Sequence, residues 1–176
     1  MGVHMALNTV KTTLGYIRSL LGKHTPLQFR AESLDDIYNY LEIDGRISTS
    51  GQPTERQFEL VKAAGFGDVI NLAPHNAENA LEDEAGVLAS LGLDYTHIPV
   101  DFTNPTPEDF EKFCAQMAAR QDRKVWVHCA ANMRVSAFMY RYRCEVMGED
   151  PQAARKDMSR IWEPFGVWKA FVSASG

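Results

Sequence analysis

The sequence predicts an α/β fold, a twisted and largely parallel sheet flanked by helices on both faces. Three observations predict it. Short apolar, β-branched segments alternate with helical ones along most of the chain, the pattern of strands joined by crossover helices. Two of those segments, DVINLAP from Asp68 to Pro74 and KVWVH from Lys124 to His128, are short continuous runs that read as buried strands. The 176 residues, 45% of them hydrophobic, suffice for one compact domain with a core, and no internal repeat points to a second.

The elements follow in order. Residues 1–4 read as an expression remnant, with a native start at Met5. Over 5–22, Leu7, Val10, Leu14, Ile17 and Leu21 recur at helical steps with Lys11 and Arg18 elsewhere, an amphipathic helix. Such a helix docks on the domain or on a second subunit. Its basic polar face is also compatible with an anionic membrane surface. Residues 23–36 are polar and irregular, a linker, and 37–176 form the domain. Its first strands make a hairpin around Asp44-Gly45, a two-residue turn signal. A helix capped by Thr54 comes next, then the strand ending at Pro74. A second helix, ENALEDEAGVLASLG, carries Leu81, Ala85, Leu88 and Leu91 on its apolar side, and its ENALEDE start reads as an exposed acidic helix end. The strand DYTHIPV and the helix TPEDFEKFCAQMAAR follow, the latter with Pro107, Glu108 and Asp109 in its first turn. After the strand at Lys124–His128 comes a helix from Val135 to Met147, then two helical segments set off by Pro151 and Pro164.

Composition excludes several function classes. The net charge is −5, with no basic block interleaved with aromatics, which argues against a nucleic-acid partner. No apolar run approaches the length of a membrane span. Three scattered cysteines make neither a disulfide framework nor a zinc site, so the expectation is a reduced, cytoplasmic protein; no cofactor is expected.

The segment Cys129–Arg134 is a tight strand-to-helix turn. A turn of this kind aims backbone N–H groups and the positive end of a helix dipole at one spot, which suits an anion. Helix N-termini and nearby cations also favour a cysteine thiolate over its thiol, and Arg134 is such a cation. The candidate anion cradle is therefore Ala130, Ala131, Asn132, Met133 and Arg134, with Cys129 as nucleophile. Small side chains at Ala130 and Ala131 allow close approach of a ligand to the backbone, and Asn132 tolerates a left-handed conformation. In a parallel sheet ligands bind at the carboxyl ends of strands, which puts Asp101 on the same rim as Cys129. A protonated Asp101 would supply the leaving group's proton and later help activate water. His128 is expected to fix the loop by hydrogen bonds, and Ser136 to donate one to the departing Cys129 sulfur.

These residues, VHC…R…S at a strand–turn–helix junction with an upstream Asp loop, resemble the cysteine-dependent protein tyrosine and dual-specificity phosphatases. The stretch ISTSGQPTERQFELVKAAGFGDVINLAP…YTHIPVDF…VWVHCAANMRVSAF is more narrowly similar to the bacterial beta-lactamase-hydrolase-like phosphatase family, over residues 36–147. The resemblance implies a cysteine-phosphatase-like fold and a phosphocysteine intermediate on Cys129. It also implies phosphate held by the loop and an arginine, no metal, and a phosphorylated protein or small phosphomonoester as partner. One departure stands out. Only four residues separate Cys129 from Arg134, where the phosphatase loop has five. Aligned without a gap, Asn132 takes the loop's glycine position, Ser136 its Ser position, and Val135 its arginine position. Three readings stay open: a phosphatase with a short loop, a rhodanese-like sulfurtransferase at the same cysteine, and a non-catalytic pseudophosphatase that binds phosphorylated partners.

Other residues read more plainly. Asp109 and Glu111 face solvent, Cys114 and Cys144 pack, and Trp162 and Trp168 hold the C-terminal helices to the domain. His97 hydrogen-bonds in the core or faces a helix. His75 lies on the rim as a possible substrate contact, and Gln52 belongs to the family-marking SGQP segment without an evident physical role.

Overall fold

The computed structural model describes residues 12–13 and 33–174. Of the predicted N-terminal helix only Thr12 and Thr13 are described, both helical, and the remainder of residues 1–32 lies outside the described residues. A 3-10 turn at Leu34–Asp36 leads into the sheet. The strands are β1 (Leu41–Glu42), β2 (Ile47–Ser50), β3 (Asp68–Asn71), β4 (Asp94–His97) and β5 (Val125–His128). The helices are α1 (Glu55–Ala63), α2 (Glu84–Ser90), α3 (Pro107–Ala118), α4 (Met133–Glu145), α5 (Pro151–Ile161) and α6 (Val167–Ser173).

The sheet order is β1-β2-β5-β3-β4, with β2, β5, β3 and β4 parallel and β1 antiparallel at the edge. The edge hairpin turns through three residues, Asp44 to Arg46, rather than the two-residue turn the sequence predicts, because the Asp44 carboxylate accepts the N–H groups of both Arg46 and Ile47 at 2.7 Å, a side chain standing in for a turn carbonyl. Strand β5 is central and fully buried, and its side chains alternate between two cores. Val125 and Val127 join Ile47, Ile70, Phe113 and Phe138 beneath α3, α4, α5 and α6. Trp126 faces the other way, with Phe58, Val61, Val69 and Leu88 beneath α1 and α2. Helices therefore cover both faces, as the alternating sequence pattern requires.

Capping explains where most helices start. Thr54 with Gln57 and Thr106 with Asp109 form reciprocal capping boxes at α1 and α3. The second predicted helix starts later than expected. Asp83 caps it by accepting the Gly86 N–H at 3.0 Å, so α2 begins at Glu84 and Leu81 lies outside it. A Cβ on Gly86 would meet that same carboxylate at 2.1 Å, which is why a glycine occupies the first turn. The ENALEDE segment is also not simply exposed, since Asn79 and Glu84 are both buried. Helix α4 starts at Met133, two positions before the predicted Val135, and Arg134 consequently sits in its first turn.

Candidate active site

The site is built where β5 runs out between β2 and β3. Cys129 follows β5, is 1% exposed, and donates its N–H to the Ser50 carbonyl at 3.3 Å. The next two carbonyls are tied to neighbouring segments. That of Ala130 accepts the Gln52 N–H at 3.3 Å and the Asn79 amide at 2.9 Å, and that of Ala131 accepts the Asn39 amide at 3.0 Å. Because the peptide unit is planar and trans, anchoring the Ala130 carbonyl turns the Ala131 N–H the opposite way. Gly51 pairs with Ala131 in an isolated bridge, and a Cβ there would meet the Tyr38 ring at 2.6 Å. Only glycine lets the chain just after β2 pass between Tyr38 and the Ala130 carbonyl, which the same Cβ would meet at 3.1 Å.

Asn132 makes the bend into α4. Its φ of 62° and ψ of 2° are left-handed, and its amide donates to the Asn39 carbonyl at 2.8 Å and the Thr49 hydroxyl at 3.0 Å. The bend points the start of a 13-residue helix at the Cys129 loop, with its first N–H groups lacking intrahelical acceptors. Arg134 lies with its guanidinium carbon 5.1 Å from the centre of the Phe102 ring, and its buried Nε has no hydrogen-bond partner. Cys129, Ala130, Ala131, Met133 and Arg134 line one cavity of about 490 Å³. Its other walls are Thr12, Thr13, Pro74, Asn76, Ala77, Glu78, Phe102 and Phe165. The four-residue spacing thus still brings the arginine to the cysteine's cavity, from the first turn of α4.

Other expected residues stand elsewhere. Asp101 is exposed and does not line the cavity, although its neighbour Phe102 does. One of its carboxylate oxygens accepts both the N–H and the hydroxyl of Thr103 at 2.8 Å. Those bonds, and after them the charge of Arg134, hold the Asp101 carboxyl below its ordinary value. Ser136 does not serve the Cys129 sulfur. It donates to the Met133 carbonyl at 3.0 Å and accepts from the Trp162 indole at 3.0 Å, so its one proton is already committed. His128 is fully buried on the Trp126 side of β5, its ring edge-on to Phe58 at 5.6 Å. Its neighbour there is a carboxylate rather than the loop backbone: Nε2 lies 3.3 Å from Glu84 Oε1. His97 contacts the Ala73 carbonyl at 2.6 Å with the His75 ring 3.9 Å away, and burial lowers its pKa. His75 itself lies outside the cavity wall, between Pro74 and Asn76, which line it.

Sequence reasoning missed a polar cluster beneath the loop. The Glu84 carboxylate accepts the amides of Gln52 at 2.5 Å and Asn71 at 2.8 Å, beside His128. Glu84 reads as one more acid at a helix start, and nothing local marks it as buried. The SGQP segment was the available signal for Gln52. Among the described residues, no group of three or more His, Cys, Asp or Glu is placed to hold a metal ion.

The chain is similar to known proteins in sequence and in fold. Residues 21–166 match the family model described as DSP-PTPase phosphatase fused to NAD+ kinase. Over 136 residues the chain is 29% identical to a beta-lactamase hydrolase-like protein of Agrobacterium fabrum, covering 74% of this chain and 29% of that protein. The chain thus spans under a third of the length of the curated relatives it matches. Among solved structures, a DUF442 protein named as a phosphatase, from Shewanella putrefaciens CN-32, is 37% identical with a TM-score of 0.74, over 81% of this chain and 93% of that one. TpbA of P. aeruginosa shares the fold at 20% identity and a TM-score of 0.65, over 79% and 86% of the two chains.

Proposed function

The chain belongs to the DSP-PTPase phosphatase family, and from that premise we propose that it hydrolyses phosphomonoesters with Cys129 as nucleophile. The observation that carries the reading is the shared cavity: a cysteine, a helix N-terminus and an arginine with an unpartnered buried Nε face one space. In the proposed reaction the Cys129 thiolate attacks phosphorus and the bond from phosphorus to the leaving oxygen breaks. Arg134 and the α4 N-terminus hold the non-bridging oxygens, where charge builds in the transition state. Asp101 gives its proton to the leaving oxygen, which requires its carboxyl to leave Thr103 and turn toward the cavity. Water then attacks the phosphocysteine, Asp101 takes the water's proton, and the sulfur departs as thiolate.

Among the described residues, Arg134 is the one basic residue of the cavity's walls, which also carry Phe102, Phe165 and Met133. That lining favours a substrate with a single phosphate on an aromatic or apolar group, phosphotyrosine included. A phosphorylated protein and a small phosphomonoester are both proposed as partners. Among the described residues no helix is long and apolar enough to cross a membrane.

The test is phosphate release from an aryl phosphate by the wild type and by Cys129→Ser. Release that vanishes in the variant is expected. Asp101→Asn is expected to lose roughly 10²- to 10⁴-fold in rate. A second reading, sulfur transfer through a Cys129 persulfide, draws on the bonds that hold Asp101 outside the cavity, since that chemistry needs no acid there. A folded wild type that releases no phosphate but converts thiosulfate and cyanide to thiocyanate would replace the first reading with the second. A protein that binds phosphate without turning over either substrate would be the non-catalytic binder.

A further inference from the structure

We propose that Glu84 is a positioning residue for the Cys129 loop, acting through Gln52 and His128. The inference rests on the reading of that loop as the reactive site. Glu84 is 6% exposed, and a carboxylate so buried is costly unless hydrogen bonds satisfy it. The groups that satisfy it come from three strand ends. Ser50, His128 and Asn71 stand in register across β2, β5 and β3, the level at which the sheet opens into the site. Glu84 sits over this row. It accepts from Asn71 at the end of β3 and from Gln52 just beyond β2, and it lies beside His128 at the end of β5.

Each contact leads directly into the rim. The Gln52 backbone N–H holds the Ala130 carbonyl, and Gly51 before it pairs with Ala131. The Asn71 carbonyl oxygen of the side chain accepts the Ala73 N–H at 2.7 Å, shaping the approach to Pro74 on the cavity wall. His128 is covalently joined to Cys129. From the segment just before α2, Asn79 adds a second hold on the Ala130 carbonyl. A replacement that cannot accept from two amides at once releases Gln52 or Asn71, and the loop loses its registration against β2. Burial by itself would raise the Glu84 carboxyl, but its electrostatic interaction with the nearby His128 ring and the hydrogen bonds with Gln52 and Tyr95 outweigh it and bring the pKa to about 2. At neutral pH the group is therefore an anion with acceptor capacity on both oxygens.

The experiment compares Glu84→Gln with wild type in two independent assays at a denaturant-free, fully folded condition. The first is the second-order rate of Cys129 alkylation by iodoacetamide, followed by peptide mass spectrometry. The second is kcat and KM on an aryl phosphate. The expected result is an alkylation rate altered several-fold and a kcat reduced on the order of 10- to 10²-fold with a much smaller change in KM, the mark of misplaced reacting groups. An alkylation rate equal to that of wild type, in a variant that is merely less stable, overturns the proposal. The alkylation assay judges it even if the wild type releases no phosphate, an outcome that would count against the phosphatase reading alone. Should Glu84→Gln fail to fold, Gln52→Met breaks the same link with similar side-chain volume, and the same alkylation comparison decides.

Discussion

At the residue scale, the three cysteines are separated by environment. Burial pushes the Cys114 thiol up to about 11 and raises Cys144 as well, while Cys129 opens onto the cavity beside an arginine. Iodoacetamide near neutral pH is expected to label Cys129 first, and a label found mainly on Cys114 would contradict this. Glu84 makes a second residue-scale prediction, on stability. Its carboxyl is held at about 2 against an ordinary 4.5, so the folded state favours the ionised form. That contribution is complete above the unfolded value and is lost as pH falls through about 4.5 toward about 2. The stability gap between wild type and Glu84→Gln should therefore narrow on going from near-neutral pH into that acid window, as read by urea midpoints. A gap independent of pH would mean that the ionised carboxylate contributes nothing.

At the element scale, the junction between β5 and α4 depends on Asn132. Its backbone is left-handed, and its amide serves the Asn39 carbonyl and the Thr49 hydroxyl. Asn132→Gly keeps the backbone conformation and removes those bonds, at an expected cost of about 1–3 kcal/mol. Asn132→Ala adds the left-handed penalty of a Cβ, roughly 1–2 kcal/mol more. Chemical denaturation of the two variants checks this, and equal midpoints would show that the conformation is not under constraint. The wider lesson concerns helix starts. Thr54 and Thr106 announced theirs through capping boxes that are local in sequence. The start of α4 is set by a residue with no side-chain capping bond, held by partners on the 3-10/β1 segment and on β2.

At the scale of the whole molecule, the C-terminal helices buttress the Asp101 loop. Trp162 and Trp168 both pack on Phe102, at 6.0 and 5.4 Å between ring centres, and the Trp168 indole donates to the Phe102 carbonyl at 2.8 Å. Phe102 in turn lies against the Arg134 guanidinium. A chain of contacts therefore runs from α6 through the loop after β4 to the cavity. Trp168→Phe keeps the aromatic packing but removes the donor, costing about 0.5–1.5 kcal/mol of stability. Turnover of an aryl phosphate should fall more than the Cys129 alkylation rate, because the lost bond is on the Asp101 loop and the Cys129 loop is reached only through the Phe102–Arg134 contact. A parallel fall in both rates would show that the two loops are not separable in this way.

The sequence by itself determined the sheet-and-helix alternation, the presence of the edge hairpin though not its turn length, the capped helices and the cysteine-to-arginine turn, because periodicity, turn chemistry and capping are local and leave their marks in adjacent residues. Tertiary structure alone decided that a four-residue spacing still brings Arg134 to the cavity of Cys129, since that depends on the bend at Asn132 and the ring of Phe102. It also decided that Asp101 turns to Thr103 and that Ser136 gives its proton to a helix carbonyl. Glu84 makes the distinction clearest. Its neighbours in sequence are acids of a helix start, whereas its neighbours in space are three strand ends, and only folding buries a carboxylate among their polar groups.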